Sequence, residues 1–399
     1  MESKLNSYTF LKAILIVSVI CGYEFLSFFP EILNVDTRVI SIPFRLLMGI
    51  VCIVILFNSP IQVNKKVFLV YFFWLLYLIR FLYETIFNSD KIQLSLSDYW
   101  GYIFLGCLLP MSALLTTIDK NVLDKSLPLV YSLLLFVNVF GLINNQGFLF
   151  EEVNEMRADA NIGLNSISFA TCAISLIIVS LYLMNKLRFK IILWLSIILA
   201  IVNIGLSGSR GPILQLALVG LFYLFMNTKK VSPKYIIIGL VSFSGIIYYL
   251  SENFNFLNLL ISRFTTSQTE LGGSDYERTL FIEGAWNQFI NSPLIGDSVE
   301  VRPYGIYPHN MLLESFMSLG ILGGVLCFAI LIIAFVKALQ LLKFKEVSWL
   351  VILFLFSYIA TFTTGSIVNN FRFWTFLSFI LVYNPQPVQY SSYENCDTN

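Results

Sequence analysis

The chain has 399 residues, of which 57% are hydrophobic and 12% charged, with a formal net charge of +1. A soluble globular domain carries roughly 25% charged residues, so this composition excludes a water-facing fold and implies an all-α polytopic membrane protein. The near-zero net charge names no partner; the distribution of the charges along the chain is what carries information.

A membrane-crossing helix needs about 20 mostly apolar residues. That template predicts about twelve spans, at 9–29, 39–57, 66–87, 98–117, 126–145, 163–184, 189–206, 211–227, 234–250, 313–340, 347–365 and 368–384. All are expected as helices, because backbone facing lipid must satisfy its own hydrogen bonds. The N-terminus has a short basic start and an apolar run without a small-residue cleavage site after Cys21-Gly22, so it reads as a retained first span. The layout divides into helices over 1–250, a polar loop over 251–308, helices over 309–384 and a cytoplasmic tail over 385–399.

Lysine and arginine set the orientation. With the N-terminus inside, the inner loops hold Lys65, Lys66, Lys120, Lys125, Lys186, Arg188, Lys190, Lys229, Lys230, Lys234, Lys337, Lys343 and Lys345. The outer segments hold Arg38, Lys91, Arg157, Arg210, Arg263, Arg278, Arg302 and Arg372. Both termini are therefore expected in the cytoplasm. The inner charges are nearly all lysine and the outer ones nearly all arginine. A guanidinium is a permanently charged planar fork suited to phosphate or carboxylate.

Of the six cysteines, five fall in apolar segments and Cys396 lies in the tail, so no disulfide framework is implied. There is no Cys-x-x-Cys and a single histidine, so neither a metal site nor a cofactor is expected.

Four segments have the residues for chemistry. Glu151–Asn165 surrounds Arg157 with carboxylates, which reads as a surface ion-pair cluster or as a weak acceptor site for sugar hydroxyls. Gly205–Pro212 joins two spans through Ser209-Arg210-Gly211. A tight turn with Arg210 reaching the headgroups explains it, as does an anion site where glycine lets backbone amides approach. Ser274–Pro293 has a capping-box pattern, Ser274 with Glu277. Phe281, Ala285 and Phe289 follow at helical spacing, and Pro293 with Gly296 ends the run. This predicts a short helix led by Arg278, lying flat on the bilayer with Trp286 at headgroup level. Pro308-His309-Asn310 opens the next span. There the positive end of the helix dipole disfavours imidazolium, so His309 is expected neutral and able to act as a base. Gly320 and Gly324 have the spacing of close helix packing.

In order, Ser209-Arg210-Gly211, Arg278 through Pro293-Leu294-Ile295-Gly296, and His309-Asn310 followed by Gly320 and Gly323 resemble the O-antigen polymerase and O-antigen ligase superfamily, over roughly Arg157 to Trp374. The resemblance implies a metal-independent, inverting glycosyltransferase of GT-C type at the periplasmic face of the bacterial inner membrane. Its implied donors are undecaprenyl-diphosphate-linked glycans. Arg210 and Arg278 would neutralise the diphosphate, and His309 would activate the acceptor hydroxyl. Ser209, Arg157, Asn310 and Arg372 are the further substrate-binding candidates. A co-polymerase that regulates chain length is an implied partner, alongside membrane lipid; no nucleic acid is expected.

The run Tyr307-Pro308-His309-Asn310 with Leu312-Leu313-Glu314 favours polymerase, which extends a lipid-linked repeat unit. The alternatives are ligase, which transfers to lipid A-core, a polysaccharide flippase, and a structural scaffold. Glu24, Arg45 and Arg80 are the main charges inside the spans, and the sequence shows no partner for them in a matching half, as a repeat-built transporter would have.

Overall fold

A computed structural model describes residues 2–89, 92–144, 164–188, 190–226, 274–302 and 304–385. Arg157 and the span expected at 234–250 lie outside the described residues. Among those described, seven helices are long and apolar enough to cross a membrane, and two shorter apolar helices accompany them.

In chain order, α1 (Glu2–Val17) runs through a π-helical turn at Ser18–Gly22 into α2 (Tyr23–Leu26) and α3 (Phe28–Leu33). Then come α4 (Thr37–Asn58) and α5 (Lys65–Phe87). The span expected at 98–117 is built as α6 (Leu96–Gly101) and α7 (Leu109–Leu114) around a second π-helical stretch, Tyr102–Leu108. Next are α8 (Lys120–Asn144), α9 (Ser166–Leu183), α10 (Lys190–Ser207) and α11 (Arg210–Met226). After the polar segment come α12 (Ser274–Asn291), α13 (Met311–Leu341), α14 (Ser348–Ala360) and α15 (Phe371–Val382).

Side-chain oxygens fix several starts. Asp36, Asn64, Asn165 and Asn310 each accept a backbone amide from the first turn of α4, α5, α9 and α13. Hydrophobicity on every side places α9 and α15 at the centre. The most apolar stretch of α9 is 72% buried, against 22% for α4, which lies at the outside of the bundle. Every residue of α15 from Phe373 to Val382 is buried. Its Trp374 packs on Phe73 and Trp74 of α5, with ring centroids 5.5 and 5.1 Å apart.

Lys186, just after α9, pairs with Asp124 of α8 at 3.0 Å. Deeper in, Arg372 of α15 pairs with Glu24 of α2 and also donates to the Val19 and Ile20 carbonyls, at 3.2 and 2.8 Å. Both carbonyls belong to the first π-helical turn, where the widened ladder turns backbone oxygens outward. Glu24 thus has a partner from the other end of the chain. Arg80 has one on its own helix, Glu84, at 2.7 Å.

Two expectations change. The glycine spacing in α13 does not serve helix packing. Gly320 has φ 65° and ψ −160°, and it breaks α13. Into the break fits the loop after α12. The Asp297 amide donates to Met317 O and the Ile321 amide to Pro293 O, both at 2.8 Å. The loop thereby satisfies the groups that the break frees, as a membrane requires. The span expected at 347–365 also ends early, at Ala360. A turn over 361–364 follows, and Gly365 at φ 73° leads irregular backbone to Asn370.

Candidate functional site

The helix expected within Ser274–Pro293 is present as α12, Ser274–Asn291. Its inner face buries Ala285 and Gln288, with Phe281 half-buried beside them, against Val301, Leu313 and Met317. The approach is close: a Cβ on Gly284 would lie 2.5 Å from a Val301 methyl carbon. Gln288 organises the loop that follows. Its amide nitrogen donates to Asp297 Oδ2 at 3.0 Å, Ser298 Oγ at 2.9 Å and Glu300 O at 3.2 Å. Its carbonyl accepts the Arg302 amide at 2.9 Å.

Arg302 forms a two-pronged pair with Asp297, Nε to Oδ2 at 2.7 Å and Nη2 to Oδ1 at 2.9 Å. Burial alone would raise the Asp297 pKa, but the Arg302 hydrogen bond and charge hold it below the ordinary carboxylate range. Among the outer arginines, Arg302 therefore clips a loop. The Glu300 carboxylate is buried and accepts the Gln93 and Leu94 amides and the Tyr99 hydroxyl, tying the same loop to the segment before α6.

This scaffold delivers His309 to the N-terminus of α13. His309 has φ 55°, a left-handed conformation that L residues with a Cβ seldom adopt and that costs about 1–3 kcal/mol. Its neighbours impose it. The Asn310 side chain caps α13 by accepting the Leu313 amide at 3.0 Å, and the Met311 amide is fixed to Thr361 O at 2.8 Å. The ring sits against Tyr307, centroids 4.8 Å apart, and Phe281, 6.0 Å.

Phe281 is one turn beyond Arg278, so the two share a side of α12 and bring the guanidinium to His309. Burial, and then the Arg278 charge, push the imidazole pKa down to about 4. The ring is neutral at physiological pH, as its place at a helix N-terminus also predicts.

Arg210 is the first residue of α11 and half-buried. A Cβ on the adjacent Gly211 would lie 3.9 Å from the Thr364 methyl, and Gln215 donates to Thr363 Oγ1 at 2.9 Å. The turn 361–364 that receives α11 also accepts Met311 N and, at 3.5 Å, Asn310 Nδ2. Arg210 thus adjoins the turn on which the His309-Asn310 segment is anchored. Ser209 is buried, its amide directed at Ser207 Oγ at 3.4 Å. Arg372 is held in its pair with Glu24 within the helices.

The structure adds residues to which the sequence reading assigned no role at the site. Glu314, one turn into α13 and fully buried, accepts the Ile367 amide at 2.8 Å. Asn369 of the same segment lies near the Tyr307 hydroxyl, whose pKa is raised by burial. Gln288 and Asn369 carry no charge and sit in no recognisable motif, so only their contacts reveal them. Glu314 had a signal, a carboxylate inside an apolar span. Among the described residues no group of three or more His, Cys, Asp or Glu side chains is placed to hold a metal ion.

Chemically, the site offers cationic forks and a neutral imidazole at one end of the helical bundle. Residues 195–329 match the family model described as O-antigen ligase, a segment that contains Arg210, Arg278 and His309. No curated protein sequence matches the chain.

Proposed function

We propose, from the match of residues 195–329 to the O-antigen ligase family model, that this chain is a membrane glycosyltransferase polymerising a surface polysaccharide. Its donor is a growing glycan on undecaprenyl diphosphate, and its acceptor is the next lipid-linked repeat unit. The reaction takes place at the periplasmic face of the inner membrane, with both termini in the cytoplasm and a chain-length regulator as partner.

The roles follow from charge. The leaving group is a lipid-borne diphosphate whose negative charge grows as the glycosidic bond breaks, and fixed cations aimed at that charge lower the barrier. Arg210 and Arg278 are assigned that task. His309, neutral beside Arg278, takes the proton from the acceptor hydroxyl as its oxygen attacks the anomeric carbon. One base and direct attack give inversion. The observation that carries this reading is the Arg278–His309 neighbourhood, a permanent cation next to a proton acceptor, inside the family-matched segment.

The family description names ligase, which keeps transfer to lipid A-core as the second reading. A knockout strain separates the two. Loss of a polymerase leaves lipid A-core capped with a single repeat unit; loss of a ligase leaves bare core and accumulated lipid-linked polymer. Complementation with wild type restores the glycan ladder, and His309→Ala at equal expression does not. A ladder restored by His309→Ala would remove the base assignment.

A further inference from the structure

Behind the turn 361–364, among α2, α9, α11, α14 and α15, lies an open-mouthed cavity of about 230 Å³. Two polar atoms at its wall, Asn370 Nδ2 and Glu24 Oε2, are buried without a hydrogen-bond partner among the described residues. An unsatisfied buried polar atom costs on the order of 1–3 kcal/mol, so a pair of them on one cavity marks a place where something else supplies the bonds. Gln215, Ser168 and Thr171 contribute further amide and hydroxyl groups to the same wall.

The cavity has little net charge to offer. Its one arginine, Arg372, is neutralised by Glu24 and donates through Nε and Nη2 to two backbone carbonyls. A diphosphate would bring two or more negative charges to a pair that is already balanced. An uncharged ligand with many hydroxyls leaves it intact and supplies partners for both orphaned atoms. Aromatic walls at Tyr23 and Phe371 suit the apolar face of such a ligand. The wall is also close to His309. Asn369 lies near the Tyr307 hydroxyl, and the Tyr307 ring packs on the imidazole.

We propose that this cavity seats an uncharged sugar ring of the lipid-linked substrate, with Asn370, Gln215 and the free oxygen of Glu24 reading its hydroxyls. The proposal rests on the glycosyltransferase reading and deepens it. It separates two tasks: Arg210 and Arg278 hold the phosphates, and the Asn369-Asn370 segment holds the sugar.

The test compares binding of two probes to the full-length protein in lipid nanodiscs, undecaprenyl diphosphate carrying its repeat unit and undecaprenyl diphosphate without sugar. Losing one buried hydrogen bond is worth about 1 kcal/mol, roughly fivefold in Kd. Asn370→Ala and Gln215→Ala are therefore each expected to weaken the glycan-bearing lipid about fivefold and leave the bare lipid unchanged. Arg278→Gln weakens both. Should Asn370→Ala fail to fold, Gln215→Ala and Thr171→Val stand in, the latter removing a hydroxyl of the same wall at nearly constant volume.

Unchanged affinity for the glycan-bearing lipid in the folded cavity variants would show a cavity that holds only water, and would overturn the proposal. Equal weakening of both lipids would overturn it too. If neither lipid binds the wild type, the glycosyltransferase reading fails and takes this proposal with it. In the transfer assay, donor and acceptor are titrated separately, and the KM that rises identifies which substrate occupies the cavity.

Discussion

The Ile321 amide donates to the Pro293 carbonyl at 2.8 Å, across the break that Gly320 makes in α13. With the Asp297–Met317 bond, it locks the end of the Arg278 helix to the helix that starts at His309. Gly320 has no substitute there. A Cβ at that position would lie 2.4 Å from Leu294 O, and φ 65° is strained for any L side chain. Gly320→Ala is expected to destabilise the protein by about 2 kcal/mol or more. Thermal unfolding of the purified variant measures this, and a wild-type midpoint would contradict it.

His309 sets the pH dependence. Its pKa falls to about 4 on folding, from an ordinary value of 6.5. The unfolded chain therefore binds the proton first. The contribution of this group to stability is complete above about pH 6.5 and declines as the pH falls toward 4. Catalysis follows the same group: kcat/KM for transfer is expected to stay flat through pH 6.5 and to drop only near 4. Arg278→Gln removes the second cause of the depression, so the acid limb moves upward while burial keeps it below 6.5. An acid limb at 6.5 in the wild type would show that the imidazole is not held neutral in this way.

Lysine should fail where arginine is used as a fork. Arg210→Lys and Arg278→Lys keep the charge and lose the paired N–H geometry. Each is expected to lower kcat/KM by 10–100-fold or more, close to the corresponding alanine variant. Glycan chain length on a gel gives the cellular readout. Full-length chains from a lysine variant would indicate that a point charge suffices.

The outer side of α12 divides into two strips. Ile282, Trp286 and Ile290 are exposed, Trp286 at 50%, and Leu294 and Ile295 extend the strip toward the exposed Ile321 and Leu322 of α13. Glu283, Asn287 and Asn291 lie alongside, also exposed. Spin labels at 282, 286 and 290 are expected to be reached by oxygen and shielded from a water-soluble nickel chelate, and labels at 283, 287 and 291 to show the reverse. Equal chelate access on both strips would mean that α12 stands clear of the bilayer.

Much of this was legible from hydrophobic periodicity and local signals. The α12 helix was marked at both ends by Ser274 and Pro293, and the start of α13 by Pro308-His309-Asn310. What escaped depends on distance or on backbone angle. Glu24 and Arg372 are separated by 348 residues, so no local pattern pairs them. Gly320 and Gly324 fit a packing motif equally well, because a sequence does not display φ. Arg302 looked like Arg278 until Asp297 was found beside it. The left-handed His309 was illegible for the same reason as Gly320: its conformation is imposed by Thr361 and Asn310 rather than chosen by histidine itself.

The Glu24–Arg372 pair also orders the biogenesis of the protein. A lone guanidinium entering hydrocarbon is costly, and Arg372 is synthesised 348 residues after Glu24. Helix α15 can settle only onto a bundle in which α2 is already in place, so Glu24→Ala is expected to leave residues 371–382 open to protease in freshly made membranes, while the earlier spans remain protected.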